Sequence, residues 1–353
     1  MEKVRINAGS GYYILIGSGL TAESGKLLLS ACGKCRAAVI TDSNVEKLYL
    51  PKVLESLKSA GFESCSFVFP AGESSKNLDT FGDILNFLAD NSMGRDDIVI
   101  ALGGGVTGDL AGFAAGCYMR GVRFVQMPTT LLAAVDSSVG GKTAVDLPNG
   151  KNLAGLFYQP ELVICDTQCF DTLPENEVKN GIAEAIKTAV LSGGELFKLL
   201  ESGTGKGNIE RIISLCVRYK AGVVERDEYE IGERKLLNLG HTIGHAIERC
   251  SGFKVPHGSA VAIGLAAMTR YAEVSGVCSA ETAHRILRVM ERHGMQLKTD
   301  IPANELAAAA CSDKKRTGDS ITLVVPENIG KCRLIPTPMS ELEGIIRRGT
   351  EAL

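Results

Sequence analysis

From Arg36 to Cys165, short β-rich runs alternate with stretches of helical length, and this alternation restricts the fold more than any other feature of the chain. The runs are Arg36–Thr41, Ser64–Phe69, Asp97–Leu102, Phe124–Met127 and Leu162–Cys165. Val4–Ile6 and Tyr13–Ile16 precede them, with Gly9-Ser10-Gly11 placed to close a hairpin. Strand and helix repeated in this way predict a mostly parallel, Rossmann-like α/β sheet covered on both faces. After Pro174 the period changes. Glu175–Leu191, Arg211–Glu228, Leu236–Arg249, Ser259–Val274 and Ala280–Glu291 carry apolar residues at helical spacing. Strand signals return only at Ile321–Val325, before Pro326. The expected organisation is an α/β domain over residues 1–174 and a mainly α-helical domain over 175–353, with the active site in the cleft between them.

A chain of 353 residues accommodates two such domains more comfortably than one. Its formal net charge of −3 creates no field that would recruit nucleic acid or an anionic membrane, so a bound anion must be held by local cations. Ala260–Met268 is among the longest apolar runs and falls far short of the ~18–20 residues that cross a bilayer. Met1–Arg5 leads into alternating residues with no apolar stretch typical of a signal peptide, which points to a cytoplasmic protein. The eleven cysteines are scattered through apolar segments and odd in number, which argues against a disulfide framework. Cys32-Gly33-Lys34-Cys35 has no partner pair at zinc-ribbon spacing and reads as turn and core.

Three constellations carry chemistry. The buried-type strand Asp97–Leu102 runs into Gly103-Gly104-Gly105-Val106-Thr107-Gly108-Asp109, and Leu110–Cys117 reads as a helix. Backbone N–H groups and a helix N-terminus in that arrangement suit a pyrophosphate. The loop follows about the fifth strand, and the region ~20 residues on has Arg123 and no acid, unlike an ordinary dinucleotide fingerprint. Asp42, at the end of another strand, has two readings: a partner for ribose hydroxyls, or a cap for the following helix.

Secondly, His241 and His245 lie one helical turn apart, and His257 follows shortly, in a chain with five histidines. Two His and a carboxylate are a common open metal site, and Glu184 in Asn180–Lys187 is a suitable carboxylate, with Lys187 on the same face. Spacing leaves open whether His245 is a ligand or a base. Thirdly, Val135-Asp136-Ser137-Ser138-Val139-Gly140-Gly141-Lys142-Thr143 and Gly150-Lys151-Asn152 put lysine beside glycine, which suits phosphate.

These motifs, with Tyr118–Gly121, Pro128–Leu132, Asp227-Glu228, Leu237–His245, Pro256–Gly258 and Asp313-Lys314-Lys315, occur in the order seen in 3-dehydroquinate synthases, which the chain resembles over essentially its whole length. The resemblance implies an enzyme of the shikimate pathway, serving aromatic amino-acid biosynthesis, that uses NAD and a divalent metal, usually zinc, with cobalt an alternative. Its substrate would be 3-deoxy-D-arabino-heptulosonate 7-phosphate. Transient oxidation by NAD, phosphate β-elimination, re-reduction and an intramolecular aldol would yield 3-dehydroquinate with no net redox change, which is a carbon–oxygen lyase reaction.

By position, Glu184, His241 and His257 match metal ligands. Asp42, Asn44, Glu73, Lys76, Gly103, Gly104, Gly105, Asp109, Thr129, Thr130, Lys151 and Thr172 match the nucleotide site. Asp136, Lys142, Asn152, Lys187, Lys220, Arg234, Asn238, His245 and Lys314 match positions around the substrate, with His245 the preferred proton shuttle. Arg120 matches a residue that reaches a neighbouring subunit's site, implying a homodimer. Ala144-Val145-Asp146 stands where Gly-x-Asn is expected, Ala134 where Gln is common, and Cys169 replaces a bulkier residue. The competing readings are a related sugar-phosphate cyclase, a metal-dependent polyol dehydrogenase, whose neutral substrates need fewer cations, and a nucleotide-binding regulator that has lost its chemistry.

Overall fold

The computed structural model describes residues 1–203, 206–310, 316–317 and 319–351. The chain divides into two compact units, Met1–Pro174 with Lys220–Glu228, and Glu175–Tyr219 with Tyr229–Leu353.

The first unit contains β1 (Glu2–Ile6), β2 (Tyr12–Gly17), α1 (Leu20–Cys32), β3 (Arg36–Asp42), α2 (Val45–Ser59), β4 (Glu63–Phe69), α3 (Leu78–Asp90), β5 (Ile98–Gly103), α4 (Gly105–Cys117), β6 (Arg123–Pro128), β7 (Lys142–Leu147), β8 (Gly150–Phe157) and β9 (Leu162–Asp166). Seven of the strands form one sheet in the order β1-β2-β9-β6-β5-β3-β4. Only the β1–β2 hairpin is antiparallel; the other neighbours run parallel. All six residues of β5 are buried, the pattern of a strand covered on both faces.

Side chains alternate across the sheet, so Val39 joins Leu28, Val53 and Leu57 in one core. Its neighbour Ile40 joins Ile84, Leu88, Leu110 and Ala114 in the other. The pairings Thr41↔Leu102 and Gly103↔Pro128 bring the ends of β3, β5 and β6 to one carboxyl edge. Asp42, Gly103–Gly105 and Thr129-Thr130 therefore emerge together, where open α/β sheets bind ligands. The antiparallel ribbon β7–β8 was not anticipated, because its glycines and lysines interrupt the apolar pattern of a strand; it turns through residues 148–149, with Leu147 paired to Gly150. Residues 220–228 are secured in the same unit: Glu225 Oε1 accepts the Asn7 N–H at 2.8 Å, and Gln159 Nε2 donates to Glu228 Oε1 at 2.9 Å.

The second unit is built from α5 (Glu175–Ser192), α6 (Gly194–Ser202), α7 (Ile209–Arg226, as far as Tyr219), α8 (His241–Cys250), α9 (His257–Val274), α10 (Ala280–Arg292), α11 (Ala303–Ala310) and α12 (Met339–Glu351). An antiparallel sheet of β10 (Arg316–Thr317), β11 (Ser320–Asn328) and β12 (Lys331–Pro338) belongs with them. Ile243, Ile247, Ile263, Leu306, Leu323, Val325, Leu342 and Ile346 share its core.

Two expectations change here. The strand expected to end before Pro326 continues to Asn328 through an irregular register and pairs with β12. The helix expected over 236–249 is two elements: a 3-10 turn at Glu233–Asn238 and then α8, separated by Gly240 at φ 78°. Among the described residues, no helix is long and apolar enough to cross a membrane.

Candidate active site

In the first unit the glycine loop is built for clearance. Gly103–Gly105 are absent from the glycines with positive φ. A Cβ on Gly103 would lie 2.3 Å from Thr107 Oγ1, and one on Gly104 would lie 3.0 Å from the Thr130 methyl, so side chains there would fill the space at the start of α4. Thr129 N–H donates to Gly103 O at 2.9 Å, tying β6 to the loop. Asp42 caps α2: its Oδ1 accepts from the N–H groups of Asn44 and Val45 at 2.9 and 3.1 Å, and its Oδ2 faces Thr107 Oγ1 at 3.4 Å. Asn44 is exposed, and Thr172 lies 2.5 Å from the Tyr49 hydroxyl beside Cys169, whose thiol burial pushes up to about 12.

Next to the loop, residues expected at the nucleotide and at the substrate form one polar cluster. Lys76 Nζ reaches Asp109 Oδ2 and Asn152 Oδ1, each at 2.5 Å, and Lys151 pairs with Glu73 at 3.1 Å. Asn152 is left-handed at φ 54°, and its N–H donates to Asp146 Oδ1 at 2.8 Å, so the unexpected Asp146 supports that conformation. Burial opposes charge on both members of the central pair. On Lys76 the carboxylates of Asp109 and Glu73 outweigh it and raise the ammonium above its usual range, whereas on Asp109 burial prevails and raises the carboxyl. Elsewhere in the unit, Lys220 Nζ donates to Asp136 O at 2.6 Å and Oδ1 at 2.9 Å. Lys142 starts β7 with its side chain exposed, and Arg120 is exposed on a turn at φ 67°.

In the second unit, α5, α8 and α9 bring Glu184, His241 and His257 together, with one ligand atom of each within 4.8 Å of the others. Glycine makes this possible at two points. Gly240 bends the chain into α8 at φ 78°, where a Cβ would lie 2.8 Å from Leu265 N on α9, and a Cβ on Gly258 would lie 2.4 Å from Asn180 Cα. His241 Nδ1–H donates to Leu239 O at 3.1 Å, which leaves its Nε2 lone pair facing Glu184 Oε1 at 3.5 Å. His257 Nε2 approaches the same oxygen at 3.4 Å.

Glu184 is fully buried, and neither oxygen accepts a well-directed hydrogen bond, although Lys187 Nζ stands 2.6 Å from Oε2. Burial alone would raise this carboxyl; the Lys187 ammonium and His257 outweigh it and hold it at about 2. Burial would lower His257, but Glu184 and Glu248 on either side raise it to about 10. A cation bound at Nε2 would compete with that proton. Two ring nitrogens converging on Glu184 Oε1, a buried carboxylate oxygen with no hydrogen-bond donor among the described residues, fit a divalent metal.

His245 is half-buried, with its ring centroid 5.4 Å from that of His241. Arg234 is buried, and Asn238 Nδ2 donates to Glu230 Oε1 at 2.6 Å. Lys314 lies outside the described residues. Sequence reasoning passed over Glu230 and Glu248. Glu248, three residues after His245 and on the same helical face, was detectable by spacing; Glu230, in an irregular turn at φ 60°, was not.

Fold and site together define the class, a two-unit protein of sugar-phosphate cyclase architecture. The chain superposes on 2-deoxy-scyllo-inosose synthase complexed with carbaglucose-6-phosphate, NAD+ and Co2+ with a TM-score of 0.89 and 26% identity, covering 99% of this chain and 100% of that one. It superposes on ValA, the 2-epi-5-epi-valiolone synthase of Streptomyces hygroscopicus subsp. jinggangensis 5008 with NAD+ and Zn2+ bound, with a TM-score of 0.87 and 26% identity over 96% and 97% of the two chains. Residues 66–180 match the family model for the 3-dehydroquinate synthase N-terminal region, and 181–316 match the C-terminal one. A 3-dehydroquinate synthase of Enterococcus faecalis strain OG1RF is 41% identical over 343 residues, 96% of each chain. The chain belongs to the 3-dehydroquinate synthase family.

Proposed function

We propose that the chain catalyses the 3-dehydroquinate synthase reaction, converting 3-deoxy-D-arabino-heptulosonate 7-phosphate to 3-dehydroquinate and phosphate as a carbon–oxygen lyase. The observation that carries this reading is the buried Glu184, whose Oε1 faces two histidine nitrogens, in a chain 41% identical to a family member over 96% of its length. Glu184, His241 and His257 would hold the metal, zinc or cobalt as in the solved relatives. The Gly103–Gly105 loop, Thr129, Thr130 and Asp42 would hold NAD, with Asn44, Glu73, Lys76, Asp109, Lys151 and Thr172 around it.

When bound, NAD supplies a reversible hydride acceptor and the metal a Lewis acid that acidifies the substrate alcohol. The remaining work falls to the chain's own groups. Lys142, Asn152, Arg234 and Lys314 hold the carboxylate and phosphate, so a protein of net charge −3 binds a dianion through local cations. Lys76, with its partners Asp109 and Asn152, links the nucleotide and substrate groups of the first unit and sets where Asn152 stands. Asp136 anchors Lys220, Glu230 anchors Asn238, and Lys187 neutralises Glu184. His245 moves the proton, its ring edge-on to that of His241.

We also read the chain as a cytoplasmic homodimer in which Arg120 serves the neighbouring site; its exposure on a left-handed turn supports that reading. The test is phosphate release from 3-deoxy-D-arabino-heptulosonate 7-phosphate by metal-loaded protein with NAD, with and without EDTA. Metal-dependent release with stoichiometric 3-dehydroquinate and no accumulation of NADH is expected. Accumulation of NADH on simple polyols, without phosphate release, would refute the assignment.

A further inference from the structure

Glu248 is buried at 3% exposure near the end of α8, and nothing in the reaction as described above uses it. A carboxylate is costly to bury unless it is paired, so its partner is informative. Its Oε2 lies 3.2 Å from His257 Nδ1, on the side of the ring away from the Nε2 that faces Glu184. It follows His241 by seven residues and His245 by three, which puts all three side chains on one face of the helix. A ring nitrogen of His245 also falls within 4.8 Å of the Glu248–His257 pair. The helix end beneath it is fixed, since Phe253 N–H and Ser251 Oγ–H both donate to Glu248 O, at 2.7 and 2.9 Å.

His241 and His257 are therefore held by different means. His241 gives its Nδ1 proton to a main-chain carbonyl that cannot move independently of the turn at Gly240. His257 opens α9 as its first residue, where no residue before it in the helix restrains the ring, and it depends on a side chain from another helix.

We infer that Glu248 is the positioning residue for His257: by accepting the Nδ1–H it fixes the tautomer and ring orientation that present Nε2 to the metal held with Glu184 and His241. This inference rests on the metal-dependent reading above. Partners of this kind change metal affinity by about 10–100-fold when removed.

The test is zinc affinity of the full chain, by competition with a chromogenic chelator, for the wild type, Glu248→Ala, Glu248→Gln and Glu248→Asp, with melting temperatures of the metal-stripped proteins alongside. Gln keeps the acceptor at the same reach, whereas Asp keeps the charge and loses the reach. Glu248→Gln should stay near the wild type while Glu248→Ala and Glu248→Asp bind zinc about 10–100-fold more weakly, with metal-free melting little changed. Wild-type affinity in Glu248→Asp, or a Glu248→Gln as weak as Glu248→Ala, overturns the inference; so does an affinity loss that merely tracks a fall in metal-free melting. If Glu248→Ala does not fold, the Gln and Asp variants decide alone. A wild type that binds no zinc would overturn the metal-dependent reading as well, whereas wild-type binding with unaffected variants would overturn this inference only.

Discussion

Gly264→Ala probes how tightly the histidine cluster depends on backbone contact. A Cβ at Gly264 would stand 2.0 Å from Gly240 O and 3.0 Å from Gly244 N, both main-chain atoms with no rotamer to yield. An ordinary carbon–oxygen contact is about 3.3 Å, so α8 and α9 must separate locally by about 1.3 Å. That is a large fraction of the 3.4–3.5 Å gaps across which His241 and His257 face Glu184 Oε1. Overpacking of this kind costs about 1–3 kcal/mol, and the incompressible contact argues for the upper end. At roughly 1–1.5 °C for each kcal/mol in a chain of 353 residues, a melting temperature lower by about 2–5 °C is expected, together with weakened zinc binding. Gly344→Ala is the control, because Gly344 sits within α12 with no atom near its Cβ position; there alanine should be neutral or stabilising by about 0.5–1 kcal/mol. Differential scanning calorimetry of metal-stripped protein and chelator competition read both effects. A Gly264→Ala protein that melts with the wild type and binds zinc equally well would refute the view that this helix contact sets the ligand geometry.

Lys76→Met leaves the Asp109 carboxylate without its cation and should cost about 3–5 kcal/mol in urea unfolding, much of it recovered in Lys76→Met/Asp109→Leu; an unchanged midpoint in the single variant would contradict the pairing. Because Lys76 is raised above its ordinary value of 10.5, its contribution is fully present below that pH and lost as pH climbs through the raised value, so wild-type melting should fall more steeply than that of Lys76→Met in this alkaline range. Equal slopes would remove Lys76 from the account. His245→Ala should cut turnover while retaining bound metal, measured by atomic absorption; loss of the metal would make His245 a ligand.

The parallel sheet was legible because β3, β5, β6 and β9 are apolar runs buried over nearly their whole length, as strands covered on both faces must be, whereas the edge strand β4 is mostly half-buried or exposed. The ribbon β7–β8 escaped because only Thr143–Val145 is buried on β7, and β8 alternates between partly and fully exposed residues. β12 escaped for a related reason: Pro336 and Pro338 are at home on an edge strand but argue against a strand when read alone. Of the site, residue type and spacing pointed to Glu184 and the histidines 241, 245 and 257, the resemblance singled out His241 and His257 as ligands, and the structure brings Glu184, His241 and His257 together. Which partners hold them was not. The Leu239 carbonyl reaches His241 only because Gly240 turns the backbone, and Lys76 meets Asn152 across 76 positions of sequence, a separation that no local pattern encodes.

The membership of Lys220–Glu228 in the first unit has a consequence for biosynthesis. Residues 1–174 emerge from the ribosome as an apparently complete α/β domain, yet the partners of Asn7, Asp136 and Gln159 have still to be made. At ~5–20 residues per second, the nascent sheet waits for seconds with these groups uncovered while the first helices of the other unit are synthesised. A gene cut at the apparent boundary would therefore encode an unfinished unit, and exchange of either half between relatives must carry the 220–228 segment with the N-terminal part.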